Sequence, residues 1–206
     1  MEIQWLGHAS FRIISNNIVI YIDPYYGEDY DKMADIILIS HDHYDHFSQE
    51  KIAKIRLDST IILGPEPISH ILRGTTQINV DEEKQINNIR IKAVPAYNLN
   101  IPNHEKGAGN GYLIAIEDKI IYFAGDTDLI PEIQDIKANI ALVPIGGTYT
   151  MNAKQAAMLI NKIKPDLAIP MHWGSGIVGN KDDADYFKEL VETEVKLLEI
   201  GGEVEI

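Results

Sequence analysis

The stretch "ISHDHYDHFS", residues 39–48, sets three histidines and two aspartates within the six consecutive positions 41–46. Directly before it runs "ADIILI", residues 34–39, an apolar segment that reads as a buried strand. A solvated loop would account for one histidine after such a strand, not for three interleaved with carboxylates. In extended backbone, residues two apart point the same way, so His41 and His43 can converge on one ion. Asp45 and His46 lie where the chain turns toward a following helix, and they can address a second ion beside the first. Imidazole combined with carboxylate suits zinc, manganese or iron, whereas calcium and magnesium prefer oxygen alone. The sequence contains no cysteine, so any metal must be held by His, Asp or Glu.

Working outward, short Ile/Val/Tyr-rich runs dominate. The patterning predicts strands over 2–6, 10–14, 18–23, 34–39, 60–63, 77–80, 88–94, 111–117, 119–124, 138–143, 167–171 and 194–199. It predicts helices over 48–56, 66–73, 129–135, 152–163 and 181–192. One repeat is visible: "SFRIISNNIVIYIDPYYG" and "GYLIAIEDKIIYFAGDTD" each read as a hairpin whose second strand ends in an aspartate, Asp23 and Asp126. Each is followed by another buried strand, "ADIILISH" or "ANIALVPI". Two similar halves, each a sheet with covering helices, imply an α/β fold of four layers, αββα.

Strand ends supply further ligand candidates. Asp126 closes "IIYFAGDTD" and His172 closes "DLAIPMHWG", each after an apolar run that delivers the side chain to a sheet rim. Taken singly, Asp126 could be a turn former and His172 a core histidine. A strand followed by a ligand, occurring three times in one chain, favours a shared site.

Composition bounds the rest. The chain has 206 residues, 45% hydrophobic and 24% charged, which fits one soluble domain over 1–206. Its net charge of −13, from 31 acidic and 18 basic residues, disfavours a nucleic-acid partner, since such affinity rests on Lys and Arg neutralising phosphates. No apolar run is long enough to span a bilayer. The opening "MEIQWLGHASFRI" lacks the zones of a signal peptide, so a cytoplasmic protein is expected, with no membrane partner. A homo-oligomer remains compatible with the sequence.

The segment "HDHYDH" resembles the His-x-His-x-Asp-His signature of the metallo-β-lactamase superfamily, and "GDTD" and "PMHWG" resemble its later metal motifs. "WLGHASF", "IYIDPYYG", "LVPIGGTYTMNAKQAA" and "AIPMHWGSGIVG" look like a branch of small metal-dependent hydrolases that includes ascorbate-phosphate lactonase. The likeness runs from about residue 3 to about residue 200. It implies a hydrolase with two divalent cations, zinc first among them, with manganese or iron also suited. The first cation would take His41 and His43, the second Asp45, His46 and His172, with Asp126 bridging. Where relatives place a histidine after the "AVPAYN" strand, this chain has Asn98. Either His104, six residues on, completes the first site, or the Asn98 amide oxygen does. The resemblance also places His8 beside the metals as a proton donor or substrate contact. Asp45 would orient the attacking water, and Asp23 could fix the tautomer of a ligand histidine. Gly146 and Gly147 are expected to bring backbone N–H groups toward a pocket, and His70, without a partner motif, reads as structural. The expected reaction is hydrolysis of an ester, lactone or phosphodiester bond in a small molecule. Nuclease, iron-dependent redox and purely ligand-binding roles are the competing readings.

Overall fold

The computed structural model describes residues 1–206. Its contacts divide into two compact units, Met1–Ile78 with Leu198–Ile206, and Asn79–Leu197. The first holds β1 (Glu2–Gly7), β2 (Ser10–Ser15), β3 (Ile18–Ile22), β4 (Ala34–Leu38), α1 (Gln49–Ile55), β5 (Arg56–Gly64), α2 (Glu66–Ile71) and β6 (Thr75–Gln77). A last strand, Glu203–Glu205, adds to the free edge of β1. The pairings β1–β2–β3 are antiparallel, and β3–β4–β5–β6 are parallel.

The second unit holds β7 (Glu83–Ile86), β8 (Ile89–Ala96), β9 (Gly109–Ile116), β10 (Lys119–Phe123), β11 (Ile140–Pro144), α3 (Ala153–Ile163), β12 (Leu167–Met171), α4 (Lys181–Leu190) and β13 (Glu194–Val195). Here β7–β8–β9–β10 are antiparallel, and β10–β11–β12–β13 are parallel. Strand for strand this repeats the first unit, so the internal repeat read in the sequence is a repeat of topology.

Local chemistry explains the helices. The Ser48 side chain accepts from the Lys51 N–H at the start of α1, while Ile52 and Ile55 turn inward. Asn152 with Gln155 and Asn180 with Asp183 form reciprocal caps that start α3 and α4. Parallel strands β4, β11 and β12 are buried almost throughout, as a strand covered on both faces must be. No helix is long and apolar enough to cross a membrane.

The differences from the expected elements lie at edges. Strand β7, "EKQI", and the final "EVE" are too short and charged to read as strands, and only pairing with β8 and β1 makes them so. The strand expected over 194–199 stops at Val195. The helix expected over 129–135 shrinks to one 3-10 turn, Pro131–Ile133. Strand β5 begins at Arg56, immediately after α1, rather than at residue 60.

Of the nine non-glycine residues with left-handed backbone, three follow strands at the candidate site: His8 (φ 53°), Asp23 (φ 46°) and His172 (φ 64°). Such backbone costs on the order of 1–3 kcal/mol per residue and persists where surrounding contacts over-determine it. Each of these side chains is buried and hydrogen-bonded or ion-paired to another candidate site residue.

Candidate metal centre

In the first unit, the end of β3 and the segment after β4 meet through Asp23 and Ser40. The Asp23 carboxylate accepts from the Ser40 N–H (2.7 Å), the Ser40 hydroxyl (2.6 Å) and the His46 Nδ1–H (2.7 Å). Burial pushes the Asp23 pKa up, while His46 and Ser40 pull it the other way. The Ser40 hydroxyl, having given its proton to Asp23, accepts from His41 Nδ1 at 2.9 Å. Both His41 and His46 therefore carry their proton on Nδ1, which leaves each Nε2 as a lone-pair donor to a cation.

The other residues of this segment gather around them. The His41 ring centroid stands 4.6 Å from that of His43 and 4.0 Å from that of His46. His8 is fully buried, and its Nε2 lies 3.0 Å from Asp45 Oδ2. Ligand atoms of His8, Asp45 and His46 fall within 4.8 Å of one another. His8 thus meets Asp45 directly. His70 stands exposed on α2.

In the second unit, Asp126 follows β10 and His172 follows β12. Asp126 Oδ1 lies 3.0 Å from His172 Nε2, and Oδ2 lies 3.5 Å from His104 Nε2. The backbone leading to Asp126 turns at Gly125 (φ 63°), where an added Cβ would meet the Asn110 carbonyl at 2.8 Å. His104 reaches this position because Asn98 holds it: Asn98 Oδ1 accepts from the His104 N–H (3.2 Å) and from Nδ1–H (2.8 Å). The Asn98 amide nitrogen donates in turn to Asp128 Oδ1 (3.2 Å) and to the Tyr149 carbonyl (2.8 Å).

Those bonds bear on the two alternatives left by the sequence. The Asn98 oxygen is engaged by two N–H groups of His104, so His104, with Nε2 turned toward Asp126, is the better candidate ligand. Replacing Asn98 by alanine should weaken zinc binding about 10–100-fold, the usual cost of losing a ligand's orienting partner. A competition titration with a chromophoric chelator measures this, with circular dichroism checking that the fold remains. The backbone expectation at Gly147 fails, because its N–H donates to the Met151 carbonyl (3.2 Å). Gly146 instead permits close packing, since a Cβ there would lie 2.7 Å from the His172 carbonyl.

The donor set fits a cation on physical grounds. With its proton on Nδ1, His104 turns a lone pair on Nε2 toward a carboxylate oxygen, so two acceptors face each other. A proton or a cation between them removes that repulsion. His41 and His46 likewise present lone pairs at Nε2. Neutral imidazoles with carboxylates, and no thiolate, match zinc, manganese or iron. The positioning residues are Ser40, which the sequence reading passed over, and Asn98, which it weighed only as a ligand. A hydroxyl directly before the first ligand histidine was the available signal for Ser40, and no local signal revealed Asn98 as an orienting group.

A model of the beta-lactamase superfamily domain matches residues 2–172. The chain belongs to this superfamily. The UPF0173 metal-dependent hydrolase of Methanopyrus kandleri is 31% identical over 231 residues, covering 100% of both chains. A crystal structure from Parabacteroides distasonis is 30% identical, with a TM-score of 0.84, and covers 96% of this chain and 93% of its own. Igni18, described as a metallo hydrolase from Ignicoccus hospitalis, is 26% identical with a TM-score of 0.82, covering 98% and 97%. The fold class read from the sequence, an α/β sandwich of the metallo-β-lactamase type, is the fold of these neighbours. Superfamily membership explains why both units end their parallel strands in imidazole and carboxylate.

Proposed function

We propose that this protein is a metal-dependent hydrolase that cleaves an ester, lactone or phosphodiester bond of a small molecule with two divalent cations. The arrangement that carries the reading is Asp126, which turns one carboxylate oxygen toward each of two imidazole nitrogens. In this reading His41, His43 and His104 serve one cation, Asp45, His46 and His172 the other, and Asp126 both. Zinc is the preferred metal, with manganese and iron compatible with the same ligands. When bound, such a pair would lower the pKa of a water toward neutrality and polarise the electrophilic oxygen.

The chain's own residues do the rest. Asp23 and Ser40 keep His46 and His41 in the Nδ1–H tautomer, and Asn98 does the same for His104. Asp45, with Oδ2 beside His8, would serve the second cation through one oxygen and orient the attacking water and accept its proton through the other. His8 holds that carboxylate in place and stabilises its charge. The acidic balance of the chain, −13, supports a small-molecule substrate over a nucleic acid. We place the protein in the cytoplasm on the same reading, without a membrane partner.

The test is reconstitution. Protein stripped with chelator should show no turnover on a panel of esters, lactones and phosphodiesters. It should take up two equivalents of zinc or manganese per chain and then hydrolyse at least one panel member. Uptake below one equivalent, or two bound equivalents without hydrolysis, would overturn the reading. Oxygen consumption by the iron-loaded protein would favour redox chemistry at the same ligands.

A further inference from the structure

The loop that presents His104 has two legs, and both are tied to the segment that carries Asp126. On the entry leg, the Asp128 N–H donates to the Tyr97 carbonyl (3.0 Å), and Asp128 Oδ2 accepts from the Leu99 N–H (2.8 Å). The Asn98 N–H then reaches across to the His104 carbonyl (2.9 Å), which closes the loop at its base. On the exit leg, Lys106 Nζ donates to Glu132 Oε1 at 2.7 Å. The same carboxylate receives the Tyr97 hydroxyl, which stands 3.0 and 3.1 Å from its two oxygens. One glutamate thus grips residues on both sides of the candidate ligand.

Glu132 is itself held in place. It lies in the 3-10 turn Pro131–Ile133, which buried Ile133 anchors. Tyr97 is 8% exposed, so its hydroxyl comes from a packed side chain. Lys106 Nζ also lies 5.0 Å from the centre of that ring, where the aromatic face attracts a cation. The Lys106 and Glu132 side chains are 66% and 35% exposed, and an ion pair so open to water grips weakly by itself. Here the tyrosine prearranges the acceptor, so three groups meet on one turn. The distance this latch governs is the 3.5 Å between His104 Nε2 and Asp126 Oδ2. A ligand held in its binding position beforehand binds more tightly than one that must be ordered at that moment.

We propose that Glu132 is a positioning residue: by holding Tyr97 and Lys106 it keeps the His104 imidazole against Asp126 and sets the affinity for the cation they share. The cation rests on the hydrolase reading; the latch does not, and the two can fail separately.

Amide hydrogen exchange of the metal-stripped full chain reads the latch without any cation. Glu132→Ala should speed exchange of the Asn98 and His104 N–H groups about fivefold or more, while β9 and β10 keep their wild-type rates. A general loss of stability would speed all of them together. Chelator competition reads the consequence for metal. Glu132→Ala should weaken one of two zinc equivalents about tenfold, the low end for an orienting partner, because Asn98 still bonds His104. Glu132→Gln removes the charge but keeps an acceptor, and it should stay within about threefold of wild type. Lys106→Met separates position from charge by sign. Removing a lysine two residues from a candidate ligand should tighten zinc binding by electrostatics alone, whereas loss of the latch weakens it about fivefold.

Unchanged or uniformly faster exchange in Glu132→Ala, equal losses of zinc affinity in the Ala and Gln variants, or tighter zinc binding by Lys106→Met overturns the proposal. Locally faster exchange in Glu132→Ala, beside a wild type that takes up no zinc, would support the latch and overturn the hydrolase reading instead.

Discussion

Replacing Asp45 by alanine should lower kcat at least a thousandfold on any substrate the zinc-loaded protein hydrolyses. The carboxylate has two tasks in the scheme, ligation and handling of the water proton, and loss of a positioned base alone costs about 10²–10⁴. The same change strips fully buried His8 of the partner at 3.0 Å, and an unmet buried polar group costs about 1–3 kcal/mol. Asp45→Asn separates these effects. Its carbonyl oxygen can still accept from His8, so its urea midpoint should stay near wild type while activity remains lost. Undiminished hydrolysis by either variant would rule out the scheme, and measured rates with matched denaturation curves decide the matter.

The second large effect is expected at Asp126. Asparagine in its place offers one oxygen and an N–H donor, and that donor would occupy the Nε2 lone pair of His104 or His172. Zinc uptake should fall to one equivalent or less, with activity down at least a hundredfold. Stability should move the other way in the stripped protein. Wild type then sets a carboxylate against an imidazole lone pair 3.5 Å away, whereas the amide makes a hydrogen bond there. Metal-free Asp126→Asn should melt at or above metal-free wild type, yet gain little when zinc is added. Wild type should gain several degrees under the same addition, because a ligand that binds only the folded state stabilises it. A variant that still takes up two equivalents and melts like wild type would show that Asp126 does not bridge.

The repeat of two strand-rich halves was legible because each half spells the same order of apolar runs, and the observed strand pairings follow that order. Edge strands were not legible. "EKQI" and "EVE" have no apolar face to mark them, and they become strands only by completing ladders begun by β8 and β1. The turn at Pro131–Ile133 was read as a longer helix because apolar spacing alone does not reveal where the chain must leave for β11.

The sequence by itself determined the superfamily, the two-sheet class and the identity of the ligand candidates. Clustered imidazoles and carboxylates at the ends of apolar strands have few other uses. Only the tertiary structure decided which nitrogen each histidine presents. That choice depends on Ser40, Asp23 and Asn98: Ser40 adjoins His41 and Asn98 lies six residues from His104, but Asp23 lies 23 residues from His46 and is brought within hydrogen-bond reach by folding. It also showed that the Asn98 amide oxygen is taken up by two N–H groups of His104, which leaves His104 as the candidate ligand.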